Sequence, residues 1–375
     1  MNRPIKILIN GMTKNLGGKE NFIMNYYRNI NPEKIRIDFL CMNDKPAYYQ
    51  EIINRGSRVY MIPGRRRYIT HKRKLNSIFR ENKYDVFWNH ICSLSGALLL
   101  FKIAYKHGVP LRILHAHSTS VVNRPFFYML AHKIVKRYIG KYITEAWACS
   151  ETAGKFSYTQ KIIHSSKYRI VNNAINVANF KFDNTVREDT RKILRLEGKF
   201  IIGHIGWFGF AKNHVFLIRV FHEIYKRESN AVLLLVGDGK LRSKIEDMVK
   251  SLNLAKAVHF LGIRSDIPAL LNAMDMFLLP SKFEGLPICL IEAQTASLRC
   301  FASTNVSSEA AITDLLSFVN LNKSPEEWAE RIFEKRDYWR VDMTEEIRMS
   351  GYDIKNEAAE LERYLLNRLE DIDAN

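Results

Sequence analysis

The sequence predicts an α/β protein made of two doubly wound domains. Short runs rich in β-branched and aromatic residues alternate with longer amphipathic runs through most of the chain, as in parallel strands joined by crossover helices. The alternation occurs once in each half, and 375 residues suffice for two domains that each have a hydrophobic core. We therefore expect two parallel sheets, each with helices on both faces.

In the first half, the apolar runs that predict strands are separated by runs of helical period. Ile5–Ile9 opens the pattern, and the pair Gly17-Gly18 precedes the first helix. The further predicted strands are Ile37–Cys41, Arg58–Ile62, Val86–Trp88, Arg112–His115 and Ala146–Cys149. The predicted helices are Gly18–Asn29, Lys72–Asn82, Gly96–His107 and Phe126–Tyr142.

The second half repeats the pattern after a stretch of small and polar residues from Ser150 to Asn184. We place the domain limits at 1–170 and 171–350, with a mostly helical, charged tail that includes 351–375. The predicted strands are Phe200–Ile205, Ala231–Val236, Ala257–Leu261, Met276–Leu279 and Cys300–Ala302. The predicted helices are His214–Arg227, Lys240–Leu252, Ile267–Ala273, Pro287–Ala296 and Ile354–Leu369.

Positive charge is concentrated in the first domain. The chain carries a net charge of +18, but residues 1–170 hold 30 Lys and Arg against 9 Asp and Glu, whereas the remainder is slightly acidic. This asymmetry predicts an anionic partner for the first domain. Nucleic acid is one such partner, but the chain has no nucleic-acid recognition motif, so we expect none to bind.

Cysteine usage and hydropathy predict a cytoplasmic protein. The five cysteines are odd in number and form no Cys-x-x-Cys pair, which favours reduced thiols. Ile5–Ile9 is too short for the apolar core of a signal peptide. The longest apolar run, Gly96 to Ile103, is well below the roughly 20 residues of a membrane span.

Two carboxylates eight residues apart are the most informative motif. Glu284 lies in Ser-Lys-Phe-Glu-Gly-Leu-Pro, between a predicted strand and a predicted helix, and Glu292 lies inside that helix. A glycine-containing turn at a helix N-terminus presents free N–H groups and a positive dipole end, which suit a diphosphate. Carboxylates would repel that diphosphate, so they are better suited to accept hydrogen bonds from sugar hydroxyls. The motif therefore predicts a nucleotide-sugar site.

This block resembles the E-x7-E signature of the retaining glycosyltransferases of family 4, which have the GT-B fold. The resemblance implies that the two domains face each other across a cleft and that the last helix crosses back to the first domain. It assigns Glu284 to the donor sugar and Glu292 to the ribose, and implies that the residues at 285–288 (Gly285, Leu286, Pro287 and Ile288) contact the donor diphosphate.

Three further segments are similar to donor-binding segments of the family. Gly17 and Gly18 resemble its N-terminal glycine loop. Lys212 matches a lysine that clamps the diphosphate, whereas the partner arginine is replaced by Trp207, for which a ligand contact and core packing are both open. Arg264 follows a segment similar to the one that holds the base, and it is a candidate for base or phosphate binding or a surface arginine.

A His-x-His pair ends a strand of the first domain. His115 and His117 could bind a metal, but no Asp, Glu or Cys stands nearby in the chain to complete a ligand set, so we predict no metal site. In related enzymes a histidine after this strand reaches the reacting centre, and His117 is the better match. The alternative is a buried, hydrogen-bonded histidine.

Two basic clusters remain in the first domain, at 65–67 with 72–74 and along a predicted helix. The second mixes cations with aromatic residues, which suits an anionic bilayer surface or a lipid-linked acceptor; the alternative is a solvated helix face. Its candidate residues are Arg124, Phe126, Phe127, Lys133, Lys136 and Arg137.

The resemblance implies a retaining transferase without metal or cofactor, in which Glu284, Lys212 and His117 act at the reacting centre. The expected donor is a nucleoside-diphosphate sugar, most simply a uridine one. The expected acceptor is a saccharide linked to polyprenyl diphosphate, at the inner face of a bacterial membrane, in capsule, exopolysaccharide or O-antigen assembly. A sugar-nucleotide epimerase of the same fold, or an inactive sugar-nucleotide-binding relative, is the alternative.

Overall fold

A computed structural model describes residues 3–15, 17–42, 45–118 and 126–374, without the side chains of 126–128 and 373. The chain forms two compact units. Unit 1 runs to Ala174 and resumes at Ile354, and unit 2 comprises Ile175–Asp353. The limits drawn from the sequence, at 170 and 350, lie a few residues earlier.

Unit 1 is built on a seven-stranded parallel sheet in the order β3-β2-β1-β4-β5-β6-β7. The order reverses at β1, and ligands of such sheets bind at the carboxyl ends of the strands near the reversal. The strands are β1 Ile5–Asn10, β2 Ile35–Met42, β3 Val59–Ile62, β4 Val86–Ile91, β5 Leu111–Ala116, β6 Glu145–Ala148 and β7 Tyr168–Ile170.

Helices cover both faces of this sheet and form two separate hydrophobic layers with it. The helices are α1 Gly18–Asn29, α2 Tyr49–Asn54, α3 Tyr68–Glu81, α4 Ala97–Lys106, α5 Phe126–Tyr138, α6 Glu151–Ser157 and α7 Gln160–Ile163, with a 3₁₀ turn at Ile139–Lys141. A last helix, which is α16 in chain order and spans Ile354–Ala374, also belongs to this unit.

The last helix is anchored by burial and by one buried carboxylate. Leu361, Leu365 and Leu369 are buried in the same layer as α1, and each buried leucine contributes roughly 1.5–3 kcal/mol. Glu145, only 1% exposed, accepts hydrogen bonds from Tyr364 Oη at 2.8 Å and Arg368 Nε at 3.0 Å. This final segment is therefore an integral part of unit 1.

Unit 2 has a six-stranded parallel sheet in the order β10-β9-β8-β11-β12-β13. Its strands are β8 Phe200–Ile205, β9 Ala231–Val236, β10 Val258–Gly262, β11 Met276–Leu279, β12 Arg299–Ser303 and β13 Leu316–Val319. Its helices are α8 Val177–Phe180, α9 Asn184–Leu194, α10 His214–Arg227, α11 Arg242–Ser251, α12 Ile267–Ala273, α13 Ile288–Thr295, α14 Pro325–Glu334 and α15 Thr344–Met349, with a 3₁₀ turn at Ser308–Ala310.

The prediction of two doubly wound domains is confirmed, but it omitted two strands and several short helices. The strands β7 and β13 have three and four residues and lie at sheet edges, where partial burial weakens the apolar signal. Helix α9 was missed because its sequence, NTVREDTRKIL, is mostly polar and has only three apolar residues. The predicted helix to Tyr142 ends earlier, at Tyr138, where a 3₁₀ turn takes over.

Candidate active site

The two glutamates of unit 2 stand on a strand–turn–helix segment at the carboxyl edge of its sheet. Strand β11 ends at Leu279, and α13 begins at Ile288 with Pro287 as its N-cap residue. Among the described residues, no hydrogen-bond acceptor faces the backbone N–H groups of Leu286 and Ile288. These donors, at the positive end of the helix dipole, can bind an anion.

The turn is held in place by neighbouring loops. Ser303 Oγ donates a hydrogen bond to the Ser281 carbonyl, and Asn305 Nδ2 donates to the Lys282 carbonyl at 3.0 Å. Asn213, in the left-handed conformation with φ +57°, donates from Nδ2 to the Pro280 carbonyl at 3.1 Å. The Asn213 bond fixes the turn against the loop that follows β8, which carries the second part of the site.

Lys212 and Glu284 form an ion pair in this site. Lys212 Nζ lies 2.9 Å from Glu284 Oε1, and the side chains are only 16% and 21% exposed. Burial disfavours the charged lysine, but Cys289 and the Glu284 carboxylate outweigh it, so the pKa of Lys212 is raised and the residue remains a cation. Gly206 makes room for it, because a Cβ at position 206 would lie 2.7 Å from Lys212 Cε.

Glu292 lies on α13 without a partner. No described residue donates a hydrogen bond to its carboxylate, and burial alone raises its pKa to about 7. A half-buried carboxylate without donors is destabilising, and a ligand that supplies hydroxyl donors would relieve that cost. The structure thus gives the two glutamates different surroundings, since Glu284 is paired with a cation and Glu292 has no donor among the described residues.

Trp207 does not pack in the core, which excludes one of its two interpretations. Its side chain is 60% exposed, and Phe210 is similarly exposed nearby. Both line a groove of about 910 Å³ on unit 2. Lys282 Nζ lies 4.0 Å from the centre of the Phe210 ring, a cation–π distance. The loop therefore presents aromatic surface where the resemblance leads one to expect a second cation.

Arg264 forms a surface ion pair with Asp266. Its Nε and Nη2 lie 2.8 and 2.5 Å from the two carboxylate oxygens, and this pairing raises the pKa of Arg264. Exposed pairs of this kind are worth about 0–1 kcal/mol, so Arg264 can exchange Asp266 for a phosphate at little cost.

In unit 1, Gly11 has a stricter backbone and packing requirement than Gly17 or Gly18. Gly11 has φ +132°, and a Cβ there would lie 2.7 Å from the His90 carbonyl oxygen, so the loop after β1 packs tightly on His90. Gly17 caps α1, and a Cβ there would meet Glu20, whereas Gly18 has open space around it. Gly18 is thus free of packing constraints.

His115 and His117 lie beside a third histidine, His90. His90 Nδ1 is 2.9 Å from His117 Nε2, and the His115 and His117 rings stack with centroids 4.3 Å apart. Burial lowers the pKa of all three histidines, that of His117 to about 3, so they are neutral at physiological pH. The prediction overlooked His90 because it is 25 residues from His115 in the chain. The sequence feature that could have revealed it is its position at the end of the strand that neighbours β5.

The basic helix α5 exposes a mixed face. Lys133 and Arg137 are exposed together with three large apolar side chains at helical spacing, Leu130, Ile134 and Tyr138. Lys136 is less available than these residues, because its Nζ donates to the Lys155 and Phe156 carbonyls at 2.7 and 3.0 Å, at the C-terminal end of α6. Arg124 and the side chains of Phe126 and Phe127 lie outside the described residues.

The folds of the two units and the families that match them together define a glycosyltransferase with the GT-B fold. Two family models match the chain, "Glycosyltransferase Family 4" over residues 16–179 and "Glycosyl transferases group 1" over residues 186–334. The chain belongs to this family of glycosyltransferases.

Relatives and solved structures agree with this assignment. The chain is 32% identical over 333 residues to the "Putative glycosyltransferase EpsF" of Bacillus subtilis, covering 87% of this chain and 85% of that one. It is 24% identical over 301 residues to the Escherichia coli "UDP-Gal:alpha-D-GlcNAc-diphosphoundecaprenol alpha-1,3-galactosyltransferase", covering 77% and 76%. Its fold is similar to that of Anabaena Alr3699/HepE, solved in complex with UDP, with a TM-score of 0.77 at 14% identity, covering 97% and 100%.

No helix in the described part of the chain is both long and apolar enough to span a bilayer.

Proposed function

We propose that this protein transfers a sugar from a UDP-sugar to a hydroxyl of a lipid-linked saccharide, with retention of configuration, during assembly of a bacterial surface polysaccharide. The observation that carries the proposal is the arrangement in unit 2: a partly buried ion pair lies beside a helix N-terminus with free N–H donors, and within that helix lies a carboxylate to which no described residue donates. This set supplies donors for a diphosphate and acceptors for sugar hydroxyls on one segment.

In this proposal, Lys212 and the N–H groups of 285, 286 and 288 stabilise the negative charge that grows on the leaving diphosphate. Such preorganised donors are the largest expected electrostatic contribution to catalysis. Glu284 holds the donor sugar and positions Lys212 through their ion pair. Glu292 accepts hydrogen bonds from the ribose, Arg264 binds the base or a phosphate, and Trp207 contacts the donor.

We propose that the departing phosphate takes the acceptor's proton, as the family resemblance implies, so that no metal, cofactor or basic side chain is required. The glycine loop at Gly17 and Gly18 would lie over the donor diphosphate. His117 is proposed to contact the reacting sugar as a neutral hydrogen-bonding group, because its lowered pKa makes it a poor base at physiological pH.

The proposed donor and acceptor are inferred from the ligands and names of similar proteins. A complex of the HepE structure contains UDP-glucose, and the E. coli relative is named for a UDP-galactose donor and a diphosphoundecaprenol-linked acceptor. A Staphylococcus aureus relative, 24% identical over 268 residues, is named for capsular polysaccharide biosynthesis. The positive charge of residues 1–170 would attract an acceptor diphosphate and an anionic membrane.

We further propose that the protein works at the cytoplasmic face of the membrane through α5. The exposed face of this helix combines Lys133 and Arg137 with Leu130, Ile134 and Tyr138. Cations near an anionic bilayer contribute about 1 kcal/mol each, and apolar side chains add to this by entering the interface.

Incubation with a panel of nucleotide sugars and a short polyprenyl-diphosphate saccharide tests the transfer. We expect a glycosylated lipid from a UDP-sugar and an unchanged anomeric configuration. Glu284→Gln should lower turnover by more than it weakens UDP binding, and Glu334→Gln, which alters an exposed glutamate elsewhere in unit 2, should change neither.

Other products in this assay would indicate a different function. An epimerised sugar nucleotide without acceptor consumption would indicate the epimerase function. If the protein binds a UDP-sugar but neither transfers the sugar nor slowly hydrolyses the donor, it is an inactive relative. This is the main alternative, because an exposed Trp207 stands where the family has a second cation.

A further inference from the structure

Three histidines meet on one face of the unit 1 sheet. His90 in β4 and His115 in β5 are direct partners in the parallel register. His117 continues the ladder beyond β5, because its backbone N–H donates to the Ile91 carbonyl at 2.8 Å. Residues two apart on a strand point to the same side, so all three side chains gather between neighbouring strands.

Their ring nitrogens are close enough to share one ion. One ligand nitrogen from each residue can be chosen so that all three lie within 4.8 Å of one another. The ring centroids are 5.1, 5.1 and 4.3 Å apart. A tetrahedral zinc site with Zn–N bonds of about 2.0–2.1 Å separates its ligand nitrogens by roughly 3.4 Å, so shifts on the order of 1 Å suffice.

The cluster also has unsatisfied polar atoms. His115 is fully buried, and neither of its ring nitrogens has a hydrogen-bond partner in the described parts of the chain; the same holds for His90 Nε2. Each such atom costs about 1–3 kcal/mol when left unpaired. His117 is only half-buried, so an ion can enter from its side.

We propose that His90, His115 and His117 form a binding site for a divalent transition-metal ion such as Zn²⁺. Imidazole ligands favour zinc, copper, nickel and cobalt over magnesium or calcium, which prefer oxygen ligands. A His-x-His pair on one strand and a third histidine on the next leave the fourth zinc position open to water or a ligand. The ion would tie β4, β5 and the loop after β5 together.

This site shares one side chain with the proposed transfer, because His117 is also proposed to contact the reacting sugar. His90 and His115 have no role in that transfer, and Lys212 and Glu284 belong to unit 2. Metal binding is measured without a sugar donor, so its outcome does not depend on whether the protein transfers a sugar.

Calorimetric titration of the full-length, chelator-treated protein with ZnCl₂ tests the site. We expect one equivalent of Zn²⁺ to bind, no comparable binding of Mg²⁺, and a loss of affinity of at least about 10–100-fold in His90→Gln and in His117→Gln, because each removes a ligand. His214→Gln is the matched control, since it alters a buried histidine of unit 2 that packs against His204 and belongs to no three-residue metal-binding group in the described parts of the chain.

Co²⁺ substitution gives a second readout on the unaltered protein, which matters if a buried variant fails to fold. Intense ligand-field absorption of four-coordinate Co²⁺, displaced by one equivalent of Zn²⁺, would support the site. The proposal is overturned if Zn²⁺ does not saturate the wild-type protein at one equivalent, or if folded His90→Gln binds Zn²⁺ as tightly as wild type. It is likewise overturned if His214→Gln alone abolishes binding.

Discussion

The affinity of this protein for a UDP-sugar should fall as the pH is lowered from 8 to 6, because of Glu292. Its pKa is about 7 in the free protein, and the proposed role requires a carboxylate that accepts hydrogen bonds from the ribose. If only the ionised form binds, the apparent Kd is multiplied by one plus the ratio of protonated to ionised carboxyl groups. That factor is about 11 at pH 6 and about 1.1 at pH 8, a tenfold change in Kd.

Neighbouring groups should not mimic this effect. The pKa of His214 is lowered to about 4 and that of Cys289 raised to about 11, in both cases by burial, so neither changes its charge between pH 6 and 8. Lys212 remains protonated because its pKa is raised. UDP-glucose is the appropriate ligand, because its diphosphate carries no terminal phosphate with a pKa near 6, unlike UDP.

Calorimetry at pH 6, 7 and 8 and constant ionic strength measures the effect. Glu292→Gln should bind UDP-glucose more weakly than wild type at pH 8 and with little dependence on pH. The reasoning is refuted if the wild-type Kd varies less than about twofold over this range, or if Glu292→Gln retains the same pH dependence.

Three other changes test separate parts of the structure. Lys212→Met should lower kcat/KM by about 10²–10³, because it removes the proposed diphosphate cation and leaves Glu284 unpaired; steady-state kinetics with near-normal activity would contradict the role. Glu145→Ala should lower the free energy of unfolding by about 2–4 kcal/mol in urea titrations, because it leaves the last helix without its buried acceptor, and an unchanged midpoint would rule out that anchor. Ile134→Glu should weaken cosedimentation with anionic vesicles, whereas Ile193→Glu, the same substitution at an exposed isoleucine of unit 2, should not; equal effects would remove α5 from the membrane interface.

The sequence predicted the fold because long, regular patterns carry that information. Buried parallel strands such as Ala231–Val236 are continuously apolar, and the helices between them have apolar residues at the helical period. The type and order of these elements can therefore be predicted from the local sequence. Short edge strands such as Tyr168–Ile170 were missed, since partial burial leaves them without a distinctive pattern.

Only part of the candidate site could be predicted from the sequence. Glu284, Glu292 and Lys212 stand in motifs with fixed spacing, so their presence near one turn could be predicted. The ion pair between Lys212 and Glu284 could not, because it depends on how the loop after β8 meets the turn after β11, 72 residues further along the chain.

By itself, the sequence determined the strand–helix alternation, the asymmetry of charge and the glutamate motif, because each of these is set by residues close together in the chain. Only the tertiary structure decided which side chains are neighbours and which are buried. It placed His90 beside His115 through strand register, gave Glu292 no donor among the described residues and exposed Trp207. The physical reason is that desolvation and hydrogen bonding depend on contacts between distant segments, and these contacts set the pKa and the partners of every group in the site.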